Sequence, residues 1–138
     1  MRIAPFSAGH IAALGRGAEA WTVDYITNAA ALEGGLAFTG MVEGRPVACG
    51  GVVEVWRGRY IAWFYAGSDA KQHWKHIHRA VKKFLADLDA DRVEADIDCD
   101  FAGAHRWIQS LGFRMEVERR RKFFPDGRDA ALYARVKE

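Results

Sequence analysis

Asp96 and Asp98 are two residues apart in the alternating stretch Arg92–Asp98, so in a strand both carboxylates lie on one face. If that face lines a cleft, mutual repulsion lifts one of the two pKa values towards the range a general base needs. If it faces solvent, the pair is ordinary surface charge. A second cluster, Lys71-Gln72-His73-Trp74-Lys75-His76 with His78 just beyond, gathers cations and N–H donors at the start of a helical pattern. Such a set can hold an anion. The alternative is a solvated basic helix face with Trp74 in the core. Arg119-Arg120-Arg121-Lys122, followed by Phe123 and Phe124, has the composition of a nucleic-acid patch. In an alternating strand, however, the four charges divide between two faces and are diluted by Glu116 and Glu118, which reads as a charged edge strand. The five histidines form no HExxH arrangement, and His73, His76 and His78 lie on one helical pattern without a common face suited to a metal, so no metal site is expected. Cys49 and Cys99, far apart and each within an apolar strand pattern, read as reduced, buried thiols.

The elements that would position these groups follow from periodicity and turn chemistry. Arg2–Phe6 reads as a strand, and Ser7 as the cap of a helix bearing Ile11 and Leu14, interrupted by Gly15 and Gly17. Glu19–Leu32 reads as a second helix with Trp21, Tyr25 and Ala29 at four-residue steps, ended by Gly34-Gly35. Leu36–Glu43, Pro46–Trp56 and Tyr60–Ala66 form an antiparallel meander through the turns Glu43-Gly44-Arg45 and Arg57-Gly58-Arg59. Asp69–Asp89 is the longest helical pattern. Trp74, Ile77, Val81, Phe84, Leu85 and Leu88 face inward, and Lys71, Lys75, Lys82 and Lys83 mostly outward. After the strand Arg92–Asp98, Asp100 is expected to cap a helix over Ala104–Leu111, whose apolar face is Ala104, Trp107, Ile108 and Leu111. Gly112 supplies its left-handed stop. Two long strands, Phe113–Phe124 and Ala130–Val136, close the chain around Pro125-Asp126-Gly127-Arg128.

The 138 residues, half of them hydrophobic, suit one domain with a real core and are too few for two. A formal charge of only +2 gives no reason to expect nucleic acid as a partner. No stretch has the apolar length of a signal or membrane-spanning segment, so the expectation is a soluble, cytoplasmic protein with no membrane partner.

The element order strand, helix, helix, three strands, helix, strand, helix, two strands, together with Ala104-His105-Arg106-Trp107-Ile108-Gln109-Ser110-Leu111-Gly112-Phe113, resembles the GNAT N-acetyltransferase fold over essentially the whole chain. The resemblance implies a single α+β domain over residues 1–138. Its seven-stranded, mostly antiparallel sheet would have helices on both faces and one parallel, splayed central pair, Tyr60–Ala66 with Arg92–Asp98. It implies acetyl-CoA in the resulting V, with Tyr65 and Ala66 on the strand beside it and the pyrophosphate at Lys71, His73, Trp74, Lys75 and His76. The activity implied is transfer of an acyl group to an amine acceptor, with Glu54 or Asp98 as general base and Tyr65 as a phenol able to protonate the leaving thiolate. Two family positions are filled differently. Trp74 and His76 stand where small residues usually admit the phosphates, and Ile108 stands where a tyrosine usually supplies the acid.

Glu19-Ala20-Trp21, the run Trp63-Phe64-Tyr65-Ala66-Gly67-Ser68-Asp69 and the Arg106-Trp107-Ile108 tail are similar to a phage and prophage branch that includes acetyltransferase-like internal virion proteins. That branch implies Ser68 or Asp69 as a helix cap competing with phosphate, and a catalytically silent binding or virion role as the alternative to catalysis. A homodimer or a virion protein is the implied partner, and the virion a possible location.

Overall fold

A computed structural model of the chain describes residues 1–15, 19–20, 32–33 and 35–138. Its elements are β1 (Arg2–Pro5), α1 (Gly9–Ala13), β2 (Glu19–Ala20), β3 (Leu36–Val42), β4 (Arg45–Trp56), β5 (Arg59–Ala66), α2 (Trp74–Asp87), β6 (Arg92–Asp98), α3 (Ala102–Ser110), β7 (Arg114–Arg120) and β8 (Ala130–Val136). A 3-10 turn, Ala70–His73, leads into α2.

The seven expected strands form one sheet in the order β1-β3-β4-β5-β6-β8-β7, and an eighth, β2, pairs with β5 off this path. β5 and β6 make the one parallel pairing among the described residues. The β3–β4 hairpin turns at Glu43 and Gly44, both with positive φ (51° and 76°), the geometry that matches strand twist.

Helices cover both faces. On one, α2 and α3 pack Ile77, Leu85, Trp107 and Ile108 against Val52, Phe64, Ala95 and Tyr133. On the other, Leu14 after α1 meets Cys49 and Trp63, with Ile11 and Tyr65 against them. Antiparallel register explains the small residues on the α2 face. Gly40 stands opposite Ala48, Gly50 opposite Phe64 and Val52 opposite Ala62. A sheet this flat does not fill the space beneath α2, and a cavity of about 380 Å³ remains there.

Several local expectations are corrected. Ser7 does not cap α1; its own N–H is taken by His10 Nδ1 at 3.1 Å, and that of Ala8 by Glu33 Oε1 at 2.5 Å. Glu19–Ala20 is strand rather than helix, because it finds an open edge on β5. The remainder of that expected helix, with Trp21, Tyr25 and Ala29, lies outside the described residues, as do Gly17 and Gly34. α2 begins at Trp74 rather than Asp69, after the tighter turn. Asp100 does not cap α3; the carboxylate of Asp98 instead accepts the Asp100 N–H at 2.9 Å. β7 stops at Arg120 because Lys122 turns to φ 53° and donates its N–H to Asp129 at 2.9 Å.

Gly112 has φ 91°, and its N–H bonds to the Gln109 carbonyl at 3.0 Å, ending α3. An added Cβ there would meet only Arg135 Nε, at 3.7 Å. Gly112→Ala therefore tests backbone conformation without a steric clash, and should lower stability by about 1–2 kcal/mol in urea denaturation.

Candidate functional site

β5 and β6 pair over only three positions, Arg59↔Arg92, Tyr60↔Val93 and Ile61↔Glu94. Beyond them β6 stays paired to β8 as far as Asp98↔Ala130, and β5 to β4 as far as Ala66↔Ala48. The two strands therefore splay into a V whose vertex lies at Ile61 and Glu94. The vertex is ionic. Arg59 donates to both carboxylate oxygens of Glu94, at 2.6 and 2.9 Å, and Arg92 adds a bond of 2.8 Å. Arg59 before Arg92 holds the Glu94 pKa down to about 2. Arg92 continues to Glu116 on β7.

Glu94, Asp96 and Asp98 lie on one face, as alternation requires, and each has its own arginine. Asp96 is 6% exposed and bonded to Arg120. Burial first, and only secondarily the Glu94 charge, raises its pKa, while Arg120 opposes the rise. Desolvation, not repulsion between Asp96 and Asp98, is thus the cause. Asp98, at the open end of β6, accepts from Arg128 at 2.8 Å as well as from Asp100.

Tyr65 sits at the open end of β5 on the same face as these carboxylates, beside Trp63 and opposite Cys49 in register. Its pKa is raised by burial, then by the Cys49 thiol, so the phenol keeps its proton. Burial pushes the Cys49 thiol itself up to about 12. Glu54 falls elsewhere. It is exposed, faces Tyr60 across the β4–β5 hairpin and bonds to that tyrosine. Six residues of strand, about 20 Å, separate Tyr60 from Ala66 at the open end, so Glu54 does not line the V.

The turn into α2 begins right after Gly67, Ser68 and Asp69. Neither Ser68 nor Asp69 caps it. The Asp69 carboxylate, expected to compete with phosphate, is held by Arg45 at 3.1 Å, and neither helix start has a side-chain cap. Lys71, Lys75 and His76 are exposed, and His73 and Trp74 half-buried. The Trp74 ring packs inward, with its centroid 6.1 Å from Phe64 and 4.9 Å from Trp107. Trp107 in turn donates its indole N–H to His78 Nδ1 at 3.0 Å, so His78 braces α3 instead of facing an anion. Ile108 is 3% exposed and wholly part of the core.

β2 has a direct bearing on the V. Glu19 pairs with Ala66 and Ala20 with Tyr65, the same residues that pair with Ala48 and Cys49 of β4 on their other edge. β2 therefore occupies the β6-facing edge of β5, the edge that the splay exposes.

Two groups escaped the sequence reading. Glu94 shares the alternation that singled out Asp96 and Asp98, and that period would have found it. The second is a half-buried chain of hydrogen bonds on α3. His105 Nε2 faces the carbonyls of Asp98 and Cys99 at 3.0 and 3.1 Å, which places its proton there. Nδ1 then accepts the Tyr133 hydroxyl at 2.7 Å, and Gln109 donates to that hydroxyl at 3.2 Å. This chain ties the open end of β6 to α3 and β8. No group of metal-ligating side chains occurs among the described residues, and no described helix is long and apolar enough to cross a membrane.

No protein-family model matches the sequence, and neither does any curated protein. Solved structures do match. An N-acetyltransferase from Staphylococcus aureus superposes with a TM-score of 0.61 at 10% identity, covering 72% of this chain and 66% of its own. A GNAT-family acetyltransferase from Bacillus anthracis gives 0.62 at 14%, covering 78% and 70%. A Bacillus subtilis acetyltransferase in complex with CoA gives 0.63 at 16%, covering 78% and 80%. The chain has the GNAT fold. At these identities the likeness is one of architecture.

The vertex carries a pH signature. A folded pKa depressed from 4.5 to about 2 means that Glu94 contributes stability above its unfolded pKa and loses it as pH falls towards 2. That contribution is on the order of 3 kcal/mol at neutral pH. Glu94→Gln should remove it, leaving a variant less stable at pH 7 with a flatter dependence between pH 5 and 2, as read by chemical denaturation across that range.

Proposed function

We propose that this chain is a CoA-dependent N-acyltransferase that moves an acyl group from acetyl-CoA to an amine. The observation that carries the reading is the splay beyond Ile61 and Glu94, with an uncapped, cationic helix start at its open end. Lys71, His73, Lys75 and His76 would hold the phosphates, and Trp74 would flank the bound cofactor. The β5 edge at Tyr65 and Ala66 would receive the pantetheine arm once β2 vacates it. When bound, acetyl-CoA supplies the activated thioester.

In this reading the amine nitrogen attacks the thioester carbonyl, the C–S bond breaks, and the two proton transfers fall to groups at the open end. Asp98 takes the proton of the attacking amine, which requires it to loosen from Arg128 or Asp100. Tyr65, kept protonated by its surroundings, returns a proton to the thiolate. Glu54, at the closed end, takes no part.

A second reading is favoured by one observation: β2 already fills the edge that the pantetheine arm would need. On that reading the protein is a catalytically silent GNAT-fold binding protein of the kind found among phage virion components. The phage-like motifs support a cytoplasmic place in a bacterium or infected host, or a place in the virion. The partner would then be a second copy or a virion protein.

Calorimetric titration with acetyl-CoA separates the readings. Replacing Lys71 and Lys75 together by Ala should weaken CoA binding at least about tenfold, roughly 1.4 kcal/mol. An unchanged dissociation constant would remove the anion site. Tyr65→Phe should lower turnover on an amine panel without weakening CoA binding, as expected of an interaction made chiefly in the transition state. Absence of both hydrolysis and transfer in the parent protein would favour the binding reading.

A further inference from the structure

The cavity beneath α2 is separate from the anion site and from the open-end residues Tyr65 and Asp98. It runs across β1, β3, β4 and β5 to α3. Its volume of about 380 Å³ has room for one short alkyl chain. Its floor is Gly40, Ala48, Gly50 and Ala62, and its roof Ile77, Val81 and Phe84. An apolar slot offers water few hydrogen-bond partners.

The mouth combines apolar and charged side chains. Ile3 and Phe38 are 47% and 41% exposed beside it, and Lys83 and Asp87, both solvent-exposed, form its charged rim. Residues 70–86 contain Lys71, Lys75, Arg79, Lys82 and Lys83 and no acid. Lys83 is the one α2 cation that pairs with a carboxylate among the described residues, with Asp87 at 2.6 Å. Arg79, one turn before Lys83 on the same side of the helix, adds positive charge next to the rim.

We propose that this slot binds the alkyl chain of a monomeric anionic amphiphile, a fatty acid or its equivalent. The chain lies between the glycine floor and α2, and the carboxylate sits at Lys83 in competition with Asp87. The site is independent of the CoA reading, and binding involves no covalent step.

The test is calorimetry on the parent protein with hexanoate, octanoate and decanoate below their micellar concentrations, with decanol as the head-group control. Affinity should rise about fourfold per added methylene, since each buried methylene contributes about that factor. Binding should also show a negative heat-capacity change. Lys83→Met should abolish the preference for decanoate over decanol. Ala80→Leu, which puts a side chain into the slot from the roof, should weaken decanoate binding at least tenfold while leaving CoA titration unchanged. If that variant fails to fold, the chain-length series decides alone.

Affinity independent of chain length, or full binding by a folded Ala80→Leu, overturns the proposal. So does sedimentation with phosphatidylglycerol vesicles in a protein that ignores decanoate, which would mark α2 as a basic surface for bilayers. A dimer that persists in decanoate and is broken by Phe38→Ser would assign the mouth to a second copy and overturn it as well.

Discussion

The three-position parallel contact between β5 and β6 is the constraint on which the rest of this molecule depends. Parallel neighbours need a crossover, so α2 must lie over one face of the sheet to connect them. A contact so short also releases both strands early, and the cleft exists because pairing stops. Holding such a junction in register is the task of Glu94, which receives both nitrogens of a bidentate Arg59 fork and shares Arg92 with Glu116. A slip by one residue would carry Glu94 to the face occupied by Ala95 and Ile97, among apolar side chains.

The same alternation organises the charge. Glu94, Asp96 and Asp98 descend one face of β6, and arginines from β5, β6, β7 and the β7–β8 loop meet them one by one. The basic run Arg119–Lys122 is thereby partly consumed: Arg120 goes to Asp96 and Arg119 to Asp129. Within what looks in the sequence like a free cationic patch, Arg120 is counter-charge to β6 and Arg119 to the β7–β8 loop. A second concentration of positive charge lies on α2 and the turn before it.

The succession of strands along the chain, the hairpins and the helix stop at Gly112 were legible because each rests on a local signal, period two or a positive-φ glycine, whereas the parallel pairing of β5 with β6 was implied by the family resemblance. What stayed hidden depends on tertiary register. A two-residue strand such as β2 has no period of its own, so the four-residue steps of Trp21, Tyr25 and Ala29 drew Glu19 and Ala20 into the expected helix. Glu54 looked well placed on a meander strand, but only the hairpin register shows that it lies at the closed end. Asp98 accepts the N–H of Asp100 itself, a turn geometry that capping preference does not encode. The cavity floor was invisible for the same reason: Gly40, Ala48, Gly50 and Ala62 are scattered in sequence and adjoin only once β3, β4 and β5 are aligned.

β2 also sets a kinetic condition. A ladder edge holds one partner at a time, so any extended ligand that aligns with Tyr65 and Ala66 must wait for Glu19 and Ala20 to leave. Association then becomes a sequence of strand departure followed by capture. Its observed rate levels off at high ligand concentration, at the frequency with which the edge opens, instead of rising without limit. Affinity is correspondingly reduced by the fraction of time the edge is open. The speed of recognition at this cleft is therefore governed by two residues that need make no contact with the ligand.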